Sequence, residues 1–384
     1  MSKPKLNQSK NIVISTQCFP PVIGGIENLM KGLANNLHKQ KLNIFVFADS
    51  KNLLNEEKHD KNLSYEIIRY GGLKIIRKRR KSTDIKKFIN FKKNINCIFC
   101  DSWKSAENLI KNKIAKTEKI FCLAHGNDIL IKNNLIKKKR IRKTLSESSC
   151  IIANSYFTKN KIINLGIKSN KIKVIYPGVD MPDFSSEKNI NYFKKYKNFK
   201  PILLTMARLE KRKNHKKIIY AVHDLIKEFQ NLLYLIAGDG PEMKKISKLI
   251  DKLNLKKNVK ILGKVNERDK TFLFKISDLH VMPTILDKRS LSIEGFGISY
   301  IEAGLYGIPS ISSGLGGTKE SVINGKTGII CNPNNVSSIR DSIKKVLINK
   351  KMYKKLSVNS KNFSKKFLWK NIIKNYLNLI KKDF

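Results

Sequence analysis

Short apolar runs, each ending at a loop that opens a helix-patterned segment, recur along this chain and leave few folds open. NIVIST (residues 11–16) runs into Pro20, Pro21, Gly24 and Gly25. Ile26, Leu29, Met30, Leu33 and Leu37 then recur at helical spacing over 26–38. Further runs at 43–48, 65–69, 97–100, 120–124, 151–155 and 174–176 continue the series, and a second one covers 201–206, 232–237, 259–262, 278–282 and 308–312. Strands alternating with helices build parallel sheets. A chain of 384 residues divides most naturally into two such cores, each of about 150–200 residues.

The most informative stretch is 294–328, EGFGISYIEAGLYGIPSISSGLGGTKESVINGKTG. Ile298 to Leu305 is apolar or small except for Glu302, so a helix is expected from about Gly297, with Glu302 on its second turn and Glu294 in the loop before it. The first amides of such a helix lack internal partners and sit at the positive end of the dipole, which suits a diphosphate. Two carboxylates beside that spot would repel phosphate and are better matched to hydroxyl groups, as on a ribose and a hexose. A nucleotide-diphospho-sugar presents all three. A short apolar segment then leads to Gly314, Gly316 and Gly317, and Asn324-Gly325-Lys326-Thr327-Gly328 reads as a tight turn.

That ordered series resembles the retaining glycosyltransferases of family four, which have the GT-B fold, and within them the phosphatidylinositol mannosyltransferase branch. The resemblance covers nearly the whole chain and is strongest from Pro201 to Gly328. It implies two facing Rossmann-like α/β domains with a cleft between them: 1–181 for the acceptor, 182–365 for the nucleotide-sugar, and a last helix, 366–384, returning to the first domain. Residues 181–199 are polar and suit a linker.

The resemblance also assigns roles. Arg208 and Lys213, in ARLEKRKNH after the 201–206 run, match the two cations that hold the diphosphate, although Ala207 stands where the family usually has glycine. Fixed cations stabilise the charge gathering on a diphosphate leaving group. Glu302 would bind the ribose. Glu294 would contact the sugar and steady positive charge at its anomeric carbon. His125, in His125-Gly126-Asn127-Asp128, would approach the sugar, and Gly24-Gly25 would admit donor phosphate and acceptor to the backbone. Gly297 and Ile298 would offer helix amides, and Gly263 and Val265 would line the base pocket. Ile175-Tyr176-Pro177-Gly178-Val179-Asp180 matches the family signature ending the first domain. No Asp-x-Asp occurs, and neither a metal nor another cofactor is expected.

Charge bears on partners. The chain carries a formal +48. Residues 1–180 hold 37 Lys+Arg against 13 Asp+Glu, a net +24, and the remainder holds 41 against 17, again +24. So even a spread describes a lysine-rich composition and no nucleic-acid footprint, and neither zinc-finger spacing nor an aromatic-basic RNA motif is present. Two local clusters stand out. Residues 74–93 contain ten Lys/Arg and one Asp, with Ile85, Phe88 and Ile89 on one helical face, and 137–143 adds six basic residues. A basic amphipathic helix suits anionic lipid headgroups, and a solvated surface helix accounts for it equally.

No run of 18 apolar residues exists and MSKPKLNQSK lacks a signal-peptide core, so a cytoplasmic protein, peripheral on a membrane, is expected. Six scattered cysteines read as reduced thiols, and Cys97 and Cys100, a CxxC within a strand, would point to opposite faces. The reading favoured is transfer of a hexose, mannose from GDP-mannose, to a lipid-linked or membrane-associated acceptor. The alternatives are a UDP-sugar-dependent transfer to a polysaccharide or lipopolysaccharide and a basic nucleic-acid-binding or non-catalytic binding protein.

Overall fold

The computed structural model describes residues 10–50, 53–92, 94–132, 134–182 and 195–382. Most of the expected linker, 183–194, and the opening residues 1–9 lie outside the described residues.

Runs such as Ile12-Val13-Ile14 lack polar alternation, so both faces of the strand must be covered. They are: Val13 joins one apolar cluster, Ile12 and Ile14 another on the opposite face. The strands in chain order are β1 (Asn11–Thr16), β2 (Asn43–Asp49), β3 (Glu66–Tyr70), β4 (Ile95–Cys100), β5 (Ile120–Ala124), β6 (Cys150–Ala153) and β7 (Ile172–Val174). They form one sheet in the order β3-β2-β1-β4-β5-β6-β7, with every pair parallel. The second series is β8 (Ile202–Met206), β9 (Leu233–Ala237), β10 (Val259–Gly263), β11 (Leu279–Val281), β12 (Ser310–Ser312) and β13 (Gly328–Ile330). These lie in the order β10-β9-β8-β11-β12-β13, again all parallel. The winding direction reverses between β1 and β4 in one sheet and between β8 and β11 in the other. Ligands of open α/β sheets bind at the carboxyl ends of strands at such a switch point.

The chain separates into one unit of Met1–Gly178 with Trp369–Phe384 and a second of Val179–Leu368. These crossings fall three residues before and three residues after those drawn from the sequence. The helix Trp369–Lys381 belongs to the first unit, where Trp369, Ile372, Ile373 and Tyr376 join the cluster containing Ile12, Leu33 and Phe99. The Trp369 indole lies flat against Gly32 and Gly178, where a Cβ at either glycine would overlap the ring.

Three local expectations change. The segment 174–176 contributes only Val174 to a strand, and β13 emerges from the turn at Gly325. The basic segment does form a helix, Lys74–Lys92, but its apolar face is already used: Ile85 and Ile89 are buried and Phe88 packs against the same cluster over the sheet. The exposed apolar side chains there are Leu73, Ile75, Ile76 and Phe91. Cys97 and Cys100 do sit in opposite clusters of β4, and burial pushes both thiols far up, so they form no redox pair.

Replacing Trp369 by alanine should cost the first unit about 3–5 kcal/mol. The check is denaturant unfolding followed by the fluorescence of Trp103, the other tryptophan, which lies in the same unit. Gly178→Val should reproduce the loss by displacing the indole.

Candidate functional site

In the second unit the chain leaves β8 through Arg208 and Glu210, makes a 3-10 turn over Lys211–Lys213, passes through Asn214 in left-handed conformation, and enters the helix His215–Leu225. The Asn214 side chain donates to the carbonyls of Pro283, 2.9 Å, and Pro333, 2.8 Å, which fastens this turn to the loop after β11. Lys213 is thereby buried, and its Nζ lies 2.6 Å from Oε2 of Glu294 and 3.5 Å from the sulfur of Met282. Arg212 donates to the same Glu294 oxygen and pairs with Glu210 at 2.9 Å. Arg208 reaches the other Glu210 oxygen at 3.2 Å, with its side chain 66% exposed. Charges therefore alternate through Arg208, Glu210, Arg212, Glu294 and Lys213.

Burial would raise the Glu294 carboxyl, but Lys213 and Arg212 outweigh it and hold it down at about 2. Burial lowers the Lys213 ammonium, against the pull of Glu294. Burial also works against the Arg212 charge, and Glu294 and Glu210 reverse that and raise it. Arg212 was not singled out from the sequence. Its only signal was a place in the basic run 211–213, one of many in this chain.

The helix Ile298–Leu305 starts where expected. Gly297 caps it with φ 93, a left-handed conformation that costs a glycine little. Ile298 is its first residue and Glu302 lies on its second turn. The Glu302 carboxylate is held by Lys270 at 2.9 Å, a partner from the helix Glu267–Ile276 that the sequence did not reveal. Glu302 and Glu267 together raise the Lys270 ammonium despite its burial, which acts the other way. The glycine cluster after β12 has a packing role. A Cβ on Gly317 would overlap the Gly295 carbonyl, and the Gly317 amide donates to the Glu294 carbonyl at 2.9 Å, so this loop braces the one that carries Glu294. Gly263 ends β10 and its carbonyl accepts from the Gly238 amide at 2.8 Å. Val265 packs half-buried against its own unit's core.

Gly24, Gly25 and His125 belong to the first unit. Gly24 caps the helix Gly25–His38, with the Glu27 carboxylate folded over it. His125 follows β5, and its Nε2 lies 2.7 Å from the carbonyl of Asp101, which follows β4. A carbonyl only accepts, so Nε2 carries a proton, which leaves Nδ1 as the ring nitrogen not committed to this bond. The His125 amide donates to Oδ1 of Asp128 at 2.9 Å. Burial raises the Asp128 carboxyl. Among the described residues no group of three or more His, Cys, Asp or Glu is placed to hold a metal ion.

With this geometry in view, residues 187–363 match the family described as glycosyl transferases group 1, and residues 23–182 match glycosyltransferase family 4. One relative is an uncharacterised glycosyltransferase of Methanocaldococcus jannaschii, 30% identical over 69% of this chain and 68% of its own. Another is the GDP-mannose-dependent monoacylated alpha-(1-6)-phosphatidylinositol monomannoside mannosyltransferase of Corynebacterium glutamicum, 24% identical over 89% of this chain and 90% of its own. Among solved structures, Anabaena HepE in complex with UDP superposes with a TM-score of 0.78 at 18% identity, covering 97% of this chain and 99% of HepE.

Two histidines packed around the second sheet make stability pH-dependent. Burial pushes His280 down to about 3 and His215 down to about 4. The native state keeps both neutral while the unfolded chain takes up protons below about 6.5. Their contribution is therefore fully present above that pH and is lost as pH falls toward 4 and then 3. The melting temperature of the second unit should drop between pH 6.5 and 4.5, and His280→Gln should flatten that slope.

Proposed function

The chain belongs to the group 1, family 4 glycosyltransferases, and from that premise we propose that it moves a hexosyl group from a nucleotide-diphospho-sugar to an acceptor hydroxyl. The transfer retains anomeric configuration and needs no metal. The observation that carries this reading is the charged array at the switch point between β8 and β11. Among the described residues Arg208, Arg212 and Lys213 pair with two carboxylates, Glu210 and Glu294, a net positive set, beside the first turn of the Ile298–Leu305 helix, which no side chain caps. A diphosphate entering there meets fixed cations and a helix dipole, which stabilise the charge it gains as the glycosidic bond breaks. Glu294 is held ionised and steadies developing positive charge on the sugar. Glu302, oriented by Lys270, accepts from the ribose hydroxyls. His125 offers Nδ1 to a sugar hydroxyl from the first unit.

For the donor and acceptor we favour mannose from GDP-mannose and a lipid-linked hydroxyl. The Corynebacterium relative supports this, as do two surfaces where exposed apolar residues adjoin lysines and arginines. One is Leu73, Ile75 and Ile76 at the start of the Lys74–Lys92 helix. The other is Leu135 and Ile136 at the start of the helix Leu135–Glu147. Such a surface suits peripheral contact with an anionic bilayer. No described helix is long and apolar enough to cross one. A UDP-sugar donor is the second reading, favoured by the UDP held in the HepE structure.

A panel of nucleotide sugars, assayed for nucleoside diphosphate release with and without anionic liposomes, tests this. GDP-mannose turnover that requires the liposomes is expected, unaffected by a chelator. Glu294→Ala and Arg208→Ala should each lower kcat/KM at least 100-fold, about 2.7 kcal/mol of transition-state stabilisation. Wild-type rates in Glu294→Ala would sink the assignment, and turnover of a UDP-sugar alone would replace the donor.

Lys270→Ala should act differently. By loosening Glu302 it should raise the donor KM about 10-fold with little change in kcat, the signature of lost ground-state binding. A fall in kcat with KM unchanged would contradict the ribose role.

A further inference from the structure

A recess of about 230 Å³, counting its open mouth, lies in the first unit beside the switch point between β1 and β4. It is lined by Ser15 and Gln17 from the end of β1, by Lys78 and Lys81 from the Lys74–Lys92 helix, and by Lys104 from the helix Trp103–Lys111. Apart from that open mouth, the recess as a whole has room for about one water-sized group.

Two independent features point to an anion. The first is charge. Lys81 is consumed internally, at 2.7 Å from both Asp49 and the Thr16 carbonyl, and Asp49 is further neutralised by Arg77 at 3.0 Å. Lys78 and Lys104 have no carboxylate within ion-pair distance among the described residues. Lys78 donates only to the Lys104 carbonyl, at 3.3 Å. Glu107, on the same helix as Lys104, is occupied by Arg140 at 2.7 Å and Lys111 at 3.3 Å. Burial, with Lys74 and Lys104 close by, lowers the Lys78 ammonium against the pull of Glu107 and Asp49. The second feature is Ser15. It is 1% exposed, lines the recess, and its hydroxyl has no hydrogen-bond partner. A buried hydroxyl left without a partner is costly, and one that can donate into a cavity calls for an acceptor there.

We propose that this recess binds a phosphate-type oxyanion carried by the acceptor, with one oxygen at the base accepting from Ser15 and the others between Lys78 and Lys104. This rests on the proposed transfer, with the acceptor taken by the first unit as the family resemblance implies, and it narrows the acceptor to an anionic molecule. The hydroxyl supplies direction and the two ammonium groups supply charge, as charge-assisted hydrogen bonds to phosphate require.

Inorganic phosphate is the first probe, with thermal unfolding as the readout, because a ligand of the native state raises the melting temperature by mass action. Phosphate should raise it in the wild type, and Lys104→Gln and Ser15→Ala should each weaken apparent binding about 10-fold. Without phosphate, Ser15→Ala should be neutral or slightly stabilising, since it removes an unpaired hydroxyl. Equal phosphate stabilisation in all three proteins would overturn the proposal, and so would a Ser15→Ala loss of stability that phosphate does not alter. Arg208→Ala, in the other unit, should leave the Ser15-dependent part of the response intact.

Sedimentation with phosphatidylglycerol vesicles then separates the sources. Vesicle binding weakened by Ser15→Ala identifies a lipid headgroup. Vesicle binding indifferent to it, with glycerol phosphate still Ser15-dependent, identifies a soluble anionic acceptor. Neither readout uses turnover, so loss of the anion site and failure of the transferase assignment give different results.

Discussion

The carboxylate of Glu294, shared by Arg212 and Lys213, is the contact on which the second unit's site depends. Taking three charges out of water is expensive, and only close mutual pairing offsets it. That requirement ties the turn after β8 to the loop before the Ile298–Leu305 helix. The Asn214 side chain, donating to the Pro283 carbonyl, reinforces the tie, and the Gly317 amide braces the Glu294 backbone from the other side. Removing any one partner leaves the others buried and uncompensated. The array is thus held in place by the protein's own groups, which is what the proposed stabilisation of a leaving group needs.

The first unit meets the same topological constraint with different chemistry. At its switch point Asp101 accepts from the Thr16 hydroxyl at 3.0 Å, the Gln17 amide at 2.7 Å and the Ser105 hydroxyl at 2.5 Å. Its carbonyl receives His125. One crevice is organised by a hydrogen-bonded carboxylate and the other by an ion-paired one. Both arise because parallel strands gather their carboxyl ends, and the loops leaving them, where the winding reverses.

The excess of base over acid shapes the interior as well as the surface. With 78 Lys and Arg against 30 Asp and Glu, carboxylates are the scarce partner. Several of the buried or half-buried ones are doubly paired: Asp49 with Lys81 and Arg77, Glu107 with Arg140 and Lys111, Glu294 with Arg212 and Lys213. Cations without a partner collect at the surface, and Lys78 and Lys104 collect at the first unit's recess. A charge that counting along the chain finds evenly spread becomes uneven once the acids are allocated.

Sequence alone determined what is coded locally. Unbroken apolar runs required strands covered on both faces. The glycine before Ile298 set a helix start and put Glu302 on its second turn, and Arg208 and Lys213 stood out by their position just after a strand. Tertiary structure decided which side chains meet. Arg212 and Lys270 were two cations among many until folding set them against Glu294 and Glu302. Ile85, Phe88 and Ile89 formed an amphipathic stripe that suited a lipid surface and a solvated helix equally until the sheet covered them. Gly317 was one of several glycines after an apolar run until folding let one backbone rest on another there. Periodicity and caps act over a few residues and are legible in order. Pairing and close approach join segments tens of residues apart, and only the folded chain brings them within reach.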